Sequence, residues 1–157
     1  MISIFTPTYN RAHTIHRVWN SLIVQTYTDF EWVIIDDGAV DGIDGIVKRY
    51  KIEASFPIIY FKFPENKGKH IATNKALELA TRKFFVVADS DDAFTPDALQ
   101  FFMDGWESIP LSESEKYCGI RACCMDQFGT RVSDILSMEP LISSMADAFF
   151  IHKFRKE

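Results

Sequence analysis

The sequence predicts an α/β fold with a mainly parallel central sheet flanked by helices, and three observations predict it. Short β-rich runs alternate four times with helix-period segments, the run "EWVIID" is apolar almost throughout, and no Gly/Ser linker interrupts the alternation. A strand covered by helices on both faces reads as a continuous apolar run instead of an alternating one. At 157 residues, with 47% hydrophobic and 14% aromatic content, the chain is long enough for one globular domain with a sizeable core.

The elements follow in order. "ISIFT" (2–6) is the first strand, stopped by Pro7, and from Ile15 the apolar positions Ile15, Val18, Trp19, Leu22 and Ile23 recur at helical spacing. "EWVIID" (31–36) is the second strand, and "GAVDG" breaks it ahead of a helix near 42–52. "PIIYFKF" (57–63) is the third strand, "ENKG" a turn, and 69–80 a helix with a small face of Ala72, Ala76 and Ala80. "KFFVVAD" (83–89) is the fourth strand, with Phe84 and Phe85 in the core. Thr95-Pro96-Asp97 opens the next helix, Thr95 as N-cap and Pro96 at the first helical position. Past residue 110 the pattern changes: "KYCGIRACCM" (116–125), the turn-like "DQFGT" and "RVSDIL" (130–135) read as a hairpin, and "SMEPLISSMADAFFIHKFRKE" has no single period.

Composition excludes some partners. A formal net charge of -5 and a pI near 5.4 argue against a polyanion binder, so no nucleic acid partner is expected. The start "MISIFTPTYN" shows no secretory signal and the apolar runs are strand-sized, which predicts a cytoplasmic chain. Cys118, Cys123 and Cys124 lack zinc spacing and read as reduced, packed thiols. His13, His16, His70 and His152 show no ligand spacing with Cys or one another; His70 is left open because it adjoins Lys69.

Ligands of open α/β sheets bind outside the carboxyl ends of the strands. Those ends are Thr6 to Asn10, Asp36 to Asp41, Pro64 to Lys69 and Asp89 to Asp92, and most of their residues are polar or charged. Tyr9 suits stacking on a base, Asp37 suits accepting hydrogen bonds from a base or ribose, and Lys69 suits a phosphate. Asp89 and Asp91 are two apart, so if strand geometry persists both side chains reach one hard cation, Mn2+ or Mg2+. Taken alone, "DSDD" also reads as a polar turn that stabilises the following helix N-terminus, and Asp36-Asp37-Gly38 as a strand-ending turn. Three acids at one carboxyl edge favour the cation, which relieves their mutual repulsion.

In combination, "FTPTYNRAHTIHRVWNSLIVQTYTDFEWVIIDDGAVDGI", "NKGKHIATNKALELA" and "FFVVADSDDAFTPDAL" resemble the nucleotide-sugar-binding half of a glycosyltransferase family 2 enzyme, over about residues 1–105. The resemblance implies the glycosyltransferase-A, nucleotide-diphospho-sugar transferase (Rossmann-like) fold. It implies a nucleotide-sugar-binding region at 1–110 and, at 111–157, the start of an acceptor-side region packed on the same domain. Sugar would pass from a UDP- or GDP-linked donor to an acceptor hydroxyl with inversion, assisted by Mn2+ or Mg2+. Thr6, Pro7 and Tyr9 would line the base pocket, Asp37 would contact the base with Asp36 as its neighbour, and Lys69 would lie near the base or diphosphate. Asp89, Ser90 and Asp91 would form the D-x-D site, Asp91 as the direct metal ligand and Asp89 toward ribose or metal-bound water. The implied partners are a nucleotide-sugar donor and a glycan or lipid-linked acceptor. A homo-oligomer and peripheral association with the inner face of the membrane are admitted.

Two departures qualify the resemblance. The second loop reads "DDGAVD" where the family often has D-D-G-S-T-D, so Ala39 lacks a hydroxyl. No general base matches a family motif: Asp134, Glu139 and Asp147 are the late acids before Glu157. General base catalysis contributes about 10²–10⁴ in rate, so a chain ending before its base is expected to bind donor yet transfer poorly. An inactive fragment or a non-catalytic nucleotide-sugar-binding module is therefore the alternative. A sugar-phosphate nucleotidyltransferase is disfavoured because "TPTYNRA" contains no glycine, and a receiver domain because the acid cluster follows the fourth strand.

Overall fold

The computed structural model describes residues 1–120 together with 122, 124–126, 128–130 and 132. Packing divides the chain into two compact units, Met1–Pro110 and Leu111–Glu157. The first unit runs β1 (Ile2–Thr8), α1 (His16–Leu22), β2 (Phe30–Asp36), α2 (Ile43–Glu53), β3 (Ile58–Lys62), α3 (Lys69–Leu79), β4 (Phe84–Val87) and α4 (Ala98–Glu107). All four strands are parallel, in the order β3-β2-β1-β4.

Alternation along β1 and β2 sends side chains to two cores. Ile2, Ile4, Trp32 and Ile34 face one way, where Val18, Trp19 and Leu22 of α1, Val47 and Tyr50 of α2, and Leu99 and Met103 of α4 close over them. Phe5, Val33 and Ile35 face the other way, against Ala72 and Ala76 of α3. The two alanines present almost no side-chain bulk, so α3 approaches the sheet closely. All seven residues of β2 are buried, as its unbroken apolar run predicts. Trp19 stacks on Tyr50 with centroids 4.3 Å apart, an offset the aromatic quadrupoles favour.

Strand order positions the site. From β1 to β2 to β3 the chain steps in one direction with its helices on one face; it then crosses by α3 on the opposite face to place β4 on the far side of β1. The winding therefore reverses between β1 and β4, and such a reversal opens a crevice at the strands' carboxyl ends.

Several details differ from the sequence expectations. β1 continues through Pro7 to Thr8. The amides of Phe84 and Ala88 donate to the carbonyls of Met1 and Phe5, so odd-numbered residues of β1 face β4. Pairing with β4 ends at Phe5, and Pro7 therefore sits where no donor is required. Ile23 is exposed because α1 ends at Leu22. β4 is a short edge strand among the described residues, and Phe84 and Phe85 are half-buried against the two cores. Thr95 does not cap α4. Its carbonyl accepts from Ala98 N–H in a turn, and the cap comes from Gln25, whose Oε1 accepts from Leu99 N–H at 3.1 Å while its Nε2 donates to Thr95 O at 2.7 Å. A glutamine 70 residues away in sequence has no local signature as a cap.

In the second unit a short 3-10 turn spans Ser114–Lys116. The Asp126 carboxylate accepts from the N–H groups of Phe128 and Thr130, building the turn that "DQFGT" suggests, whereas most of the arm expected at 130–135 lies outside the described residues. Cys118 and Cys124 are exposed free thiols rather than packed ones, and Cys123 lies outside the described residues. No described helix is long and apolar enough to cross a membrane.

At the opposite, amino-terminal edge of the sheet Glu31 is buried. Its carboxylate accepts from Ser3 Oγ (2.7 Å), Thr81 N–H (2.7 Å) and Thr81 Oγ1 (2.6 Å), and Arg82 lies 3.7 Å away. Burial pushes the carboxyl up, but the bonds from Thr81 and Ser3 together with the Arg82 charge outweigh it and hold Glu31 below its usual value. A depressed carboxylate stabilises the fold above its unfolded pKa, and that contribution is lost as pH falls through the folded value. Glu31→Gln is expected to cost about 1–3 kcal/mol at neutral pH and to flatten the acid limb of a stability–pH curve, read by urea unfolding from pH 7 downward.

Candidate functional site

At the carboxyl edge lies a cleft of about 440 Å³, a volume within the range of small-molecule sites. Its walls are Pro7, Thr8, Tyr9 and Arg11 after β1, Asp37 after β2, Asn66, Gly68 and Lys69 at the entry to α3, Ala72 within it, and Asp89 to Asp91 after β4. Four separate connections thus meet at the winding reversal.

The end of β2 organises these connections. Asp36 is fully buried; its Oδ1 accepts from Ala39 N–H at 2.7 Å, and its Oδ2 accepts from Tyr60 Oη at 2.7 Å with Lys62 Nζ 3.5 Å away. Burial first, then the hydrogen bond to Asp36 and its charge, push the Tyr60 phenol far above its usual value, so it remains the donor. Asp37 turns the other way and accepts from Lys67 N–H at 2.7 Å and Gly68 N–H at 2.8 Å, which fixes the first residues of α3 beside the cleft. Gly38 lies between these loops with φ +81°, and a Cβ there would stand 2.5 Å from the backbone carbon of Glu65. Only glycine permits both that conformation and that approach.

A second lacing holds the β1 loop. Asn10 adopts a left-handed conformation, φ 54°, and its Oδ1 accepts from Val40 N–H at 3.1 Å. Asp41 Oδ2 accepts from Ala12 N–H at 2.7 Å. These bonds flank Arg11 and lie next to Tyr9, which is half exposed on the cleft wall.

The structure sorts the sequence candidates. Pro7, Tyr9, Asp37, Lys69, Asp89, Ser90 and Asp91 all line the cleft. Thr6 and Asp36 do not: the Thr6 hydroxyl is buried and accepts from Trp32 Nε1 at 2.9 Å, and Asp36 is consumed by the bonds above. Even-numbered side chains early in β1 point into the larger core, which removes Thr6 from the wall. His70 is exposed and outside the lining. The lining also includes Thr8, Asn66 and Gly68, from strand-end segments the sequence marks only as ranges, Ala72, which the sequence marks only as part of the small face of α3, and Arg11, which the sequence does not mark. The Arg11 guanidinium follows Tyr9 by two in "TYNR", which is the signal that could have found it. Asp134, Glu139 and Asp147 lie outside the described residues.

The acidic run is a turn, not a continued strand. β4 ends at Val87, and Asp92 N–H donates to Asp89 O at 3.0 Å, so alternation does not align Asp89 with Asp91. Each has a basic partner instead: Lys69 Nζ lies 2.6 Å from Asp89 Oδ1, and Arg11 Nη1 lies 3.6 Å from Asp91 Oδ2. Arg17 Nη1 donates to the Asp91 carbonyl at 3.4 Å. Partial burial and the charges of Asp89 and Asp91 raise the Asp92 carboxyl above its usual value.

This donor set fits a hard divalent cation held loosely. Oxygen ligands are the only kind the acidic side chains of the turn offer. No three His, Cys, Asp or Glu groups surround one point among the described residues. A cation here would rest on one or two carboxylates, leaving positions for water and phosphate oxygens, as Mg2+ commonly does. Thr8 Oγ1, buried on a residue that borders the cleft, has no hydrogen-bond partner among the described residues.

A doubly wound parallel sheet with this cleft at its reversal is the architecture of nucleotide-diphospho-sugar transferases of the glycosyltransferase-A type, as its structural neighbours confirm. Residues 3–112 match the model of glycosyl transferase family 2, and the chain belongs to that family. It is 35% identical over 101 residues to the Bacillus subtilis protein named teichuronic acid biosynthesis glycosyltransferase TuaG, covering 64% of this chain and 39% of that one. It is 33% identical over 160 residues to the chondroitin synthase of Escherichia coli, covering 99% of this chain and 22% of the synthase. The chain thus spans well under half the length of these relatives. Among solved structures, S. aureus TarS 1–349 in complex with UDP-GlcNAc superposes with TM-score 0.60 at 30% identity, over 68% of this chain and 32% of that 1–349 chain. The Pyrobaculum calidifontis mannosyltransferase in complex with GDP-Man and Mn2+ superposes with TM-score 0.56 at 28% identity, over 59% and 28% of the two chains.

Gly38→Ala tests the central packing. It is expected to lower stability by roughly 2–5 kcal/mol, read by denaturant unfolding, because backbone strain and overlap with residues 65–66 add.

Proposed function

We propose that the cleft is the donor site of a glycosyltransferase that moves a sugar from a UDP- or GDP-linked nucleotide to an acceptor hydroxyl with inversion. The observation that carries this reading is the meeting of Tyr9, Asp37, Lys69 and the Asp89–Asp91 turn in one cleft at the winding reversal. Solved relatives of the same fold that carry UDP-GlcNAc or GDP-Man support the substrate class.

The residues divide the work by chemistry. The half-exposed Tyr9 ring offers a flat face to the base, with Pro7 beside it. Asp37 is already held by two backbone N–H groups, and a carboxylate with about four lone-pair sites keeps capacity for a base or ribose donor. Thr6 and Asp36 act indirectly, through Trp32 and through the β2 turn. Lys69 and Arg11, both on the cleft wall, offer cationic groups to a diphosphate.

Asp91, with Asp89, would hold Mn2+ or Mg2+, which when bound supplies charge neutralisation for the departing diphosphate. The acceptor, a glycan or a lipid-linked glycan, is inferred from relatives named for teichuronic acid and chondroitin.

Isothermal titration with UDP and with GDP, each with and without Mn2+, tests this. One nucleotide is expected to bind in a metal-dependent manner, and Asp91→Ala to weaken it by at least about tenfold. Absence of binding to either nucleotide by the folded chain would overturn the donor assignment.

A further inference from the structure

We infer that Lys69 and Arg11 are exchangeable counter-cations: a divalent metal on the acidic turn displaces them from Asp89 and Asp91, and the freed charges then take the donor's diphosphate. This rests on the donor-site reading above and deepens it, by making metal and nucleotide binding depend on the same two ion pairs.

Geometry sets up the exchange. Lys69 Nζ is 2.6 Å from Asp89 Oδ1, and a hard cation on that same oxygen would sit at roughly 2.0–2.1 Å from it. An ammonium and a divalent cation sharing one carboxylate repel each other, so the two compete for Asp89. Arg11 Nη1, 3.6 Å from Asp91 Oδ2, opposes a cation on Asp91 in the same way. Neither base has a second carboxylate within ion-pair distance among the described residues, so displacement frees each from its close partner. All four groups are about half exposed, a setting in which an ion pair is weak enough to trade.

The cleft gives the released charges a destination. Lys69, Arg11, Asp89 and Asp91 line one cavity of about 440 Å³, so the released bases and an entering phosphate share the same space. The turn keeps its shape during the exchange because its internal hydrogen bond, Asp92 N–H to Asp89 O, and the Arg17 contact to the Asp91 carbonyl use backbone atoms.

Exchange predicts effects of opposite sign from one substitution. Removing a base removes a competitor of the metal and also a ligand of the diphosphate, whereas a base that served only the diphosphate would leave binding of metal alone untouched. Linkage makes the coupling reciprocal.

The experiment titrates the chain with Mn2+ alone, reading free Mn2+ by its EPR signal, and then titrates UDP or GDP in saturating Mn2+ by calorimetry. Lys69→Met and Arg11→Met, with Lys69→Gln and Arg11→Gln as second variants should either methionine misfold, are compared with the parent. The expected result is Mn2+ binding about 3- to 10-fold tighter in the variants and nucleotide binding about 10-fold weaker. Unchanged or weaker Mn2+ binding in both, or no Mn2+ binding by any form, overturns the exchange. Tightening in one variant alone removes the other residue from it. Tighter Mn2+ binding with no nucleotide bound by the parent would sink the donor reading while leaving metal displacement standing. Metal-dependent nucleotide binding without tightening would do the reverse.

Discussion

The carboxyl end of β2 carries a constraint on which the rest of the site depends: two adjacent carboxylates that point in opposite directions, followed by a residue that must lack a side chain. Asp36 turns inward to satisfy Ala39 N–H and Tyr60 Oη, while Asp37 turns toward the cleft and gathers the amides of Lys67 and Gly68. Gly38 lets the 65–66 backbone pass closely enough for that grip. Through these contacts the start of α3 is fixed against β2, and Lys69 is delivered to the wall opposite the acidic turn. Charge-assisted hydrogen bonds to backbone donors are stronger than neutral ones, which suits a loop that must hold position in solvent.

Winding direction supplies the second half of the site. β1 is central, and the loops that leave it and β4 face each other across the place where the chain reverses. Hydrophobic burial on both faces, led by Trp32 and Ile34 on one side and Phe5 and Val33 on the other, makes this sheet a rigid base. The loops above it carry few apolar contacts, and their order comes from side chain to backbone bonds at Asp36, Asp37, Asn10 and Asp41.

Electrostatics complete the picture. A chain of net charge -5 concentrates three acids in a four-residue turn yet surrounds that turn with Arg11, Arg17 and Lys69. The cleft therefore carries both signs of charge, Arg11 and Lys69 against Asp37, Asp89 and Asp91. Membership of glycosyl transferase family 2 accords with that mixture.

By itself the sequence determined the α/β class, the four strands and the helices between them, because hydrophobic period and turn chemistry are local properties. It also determined most of the cleft, since Tyr9, Asp37, Lys69 and Asp89 to Asp91 all follow strands, and residues after parallel strands collect at one edge. Tertiary structure decided what local pattern cannot hold. Thr6 and Asp36 are turned inward by bonds to Trp32 and Tyr60, partners 26 and 24 residues away. Gln25 caps a helix 74 residues on, β1 runs through Pro7 because its β4 partner has already ended, and the acids form a turn whose charges are met by Arg11 and Lys69. Each of these depends on which groups approach across the fold, and distance along the chain carries no record of that approach.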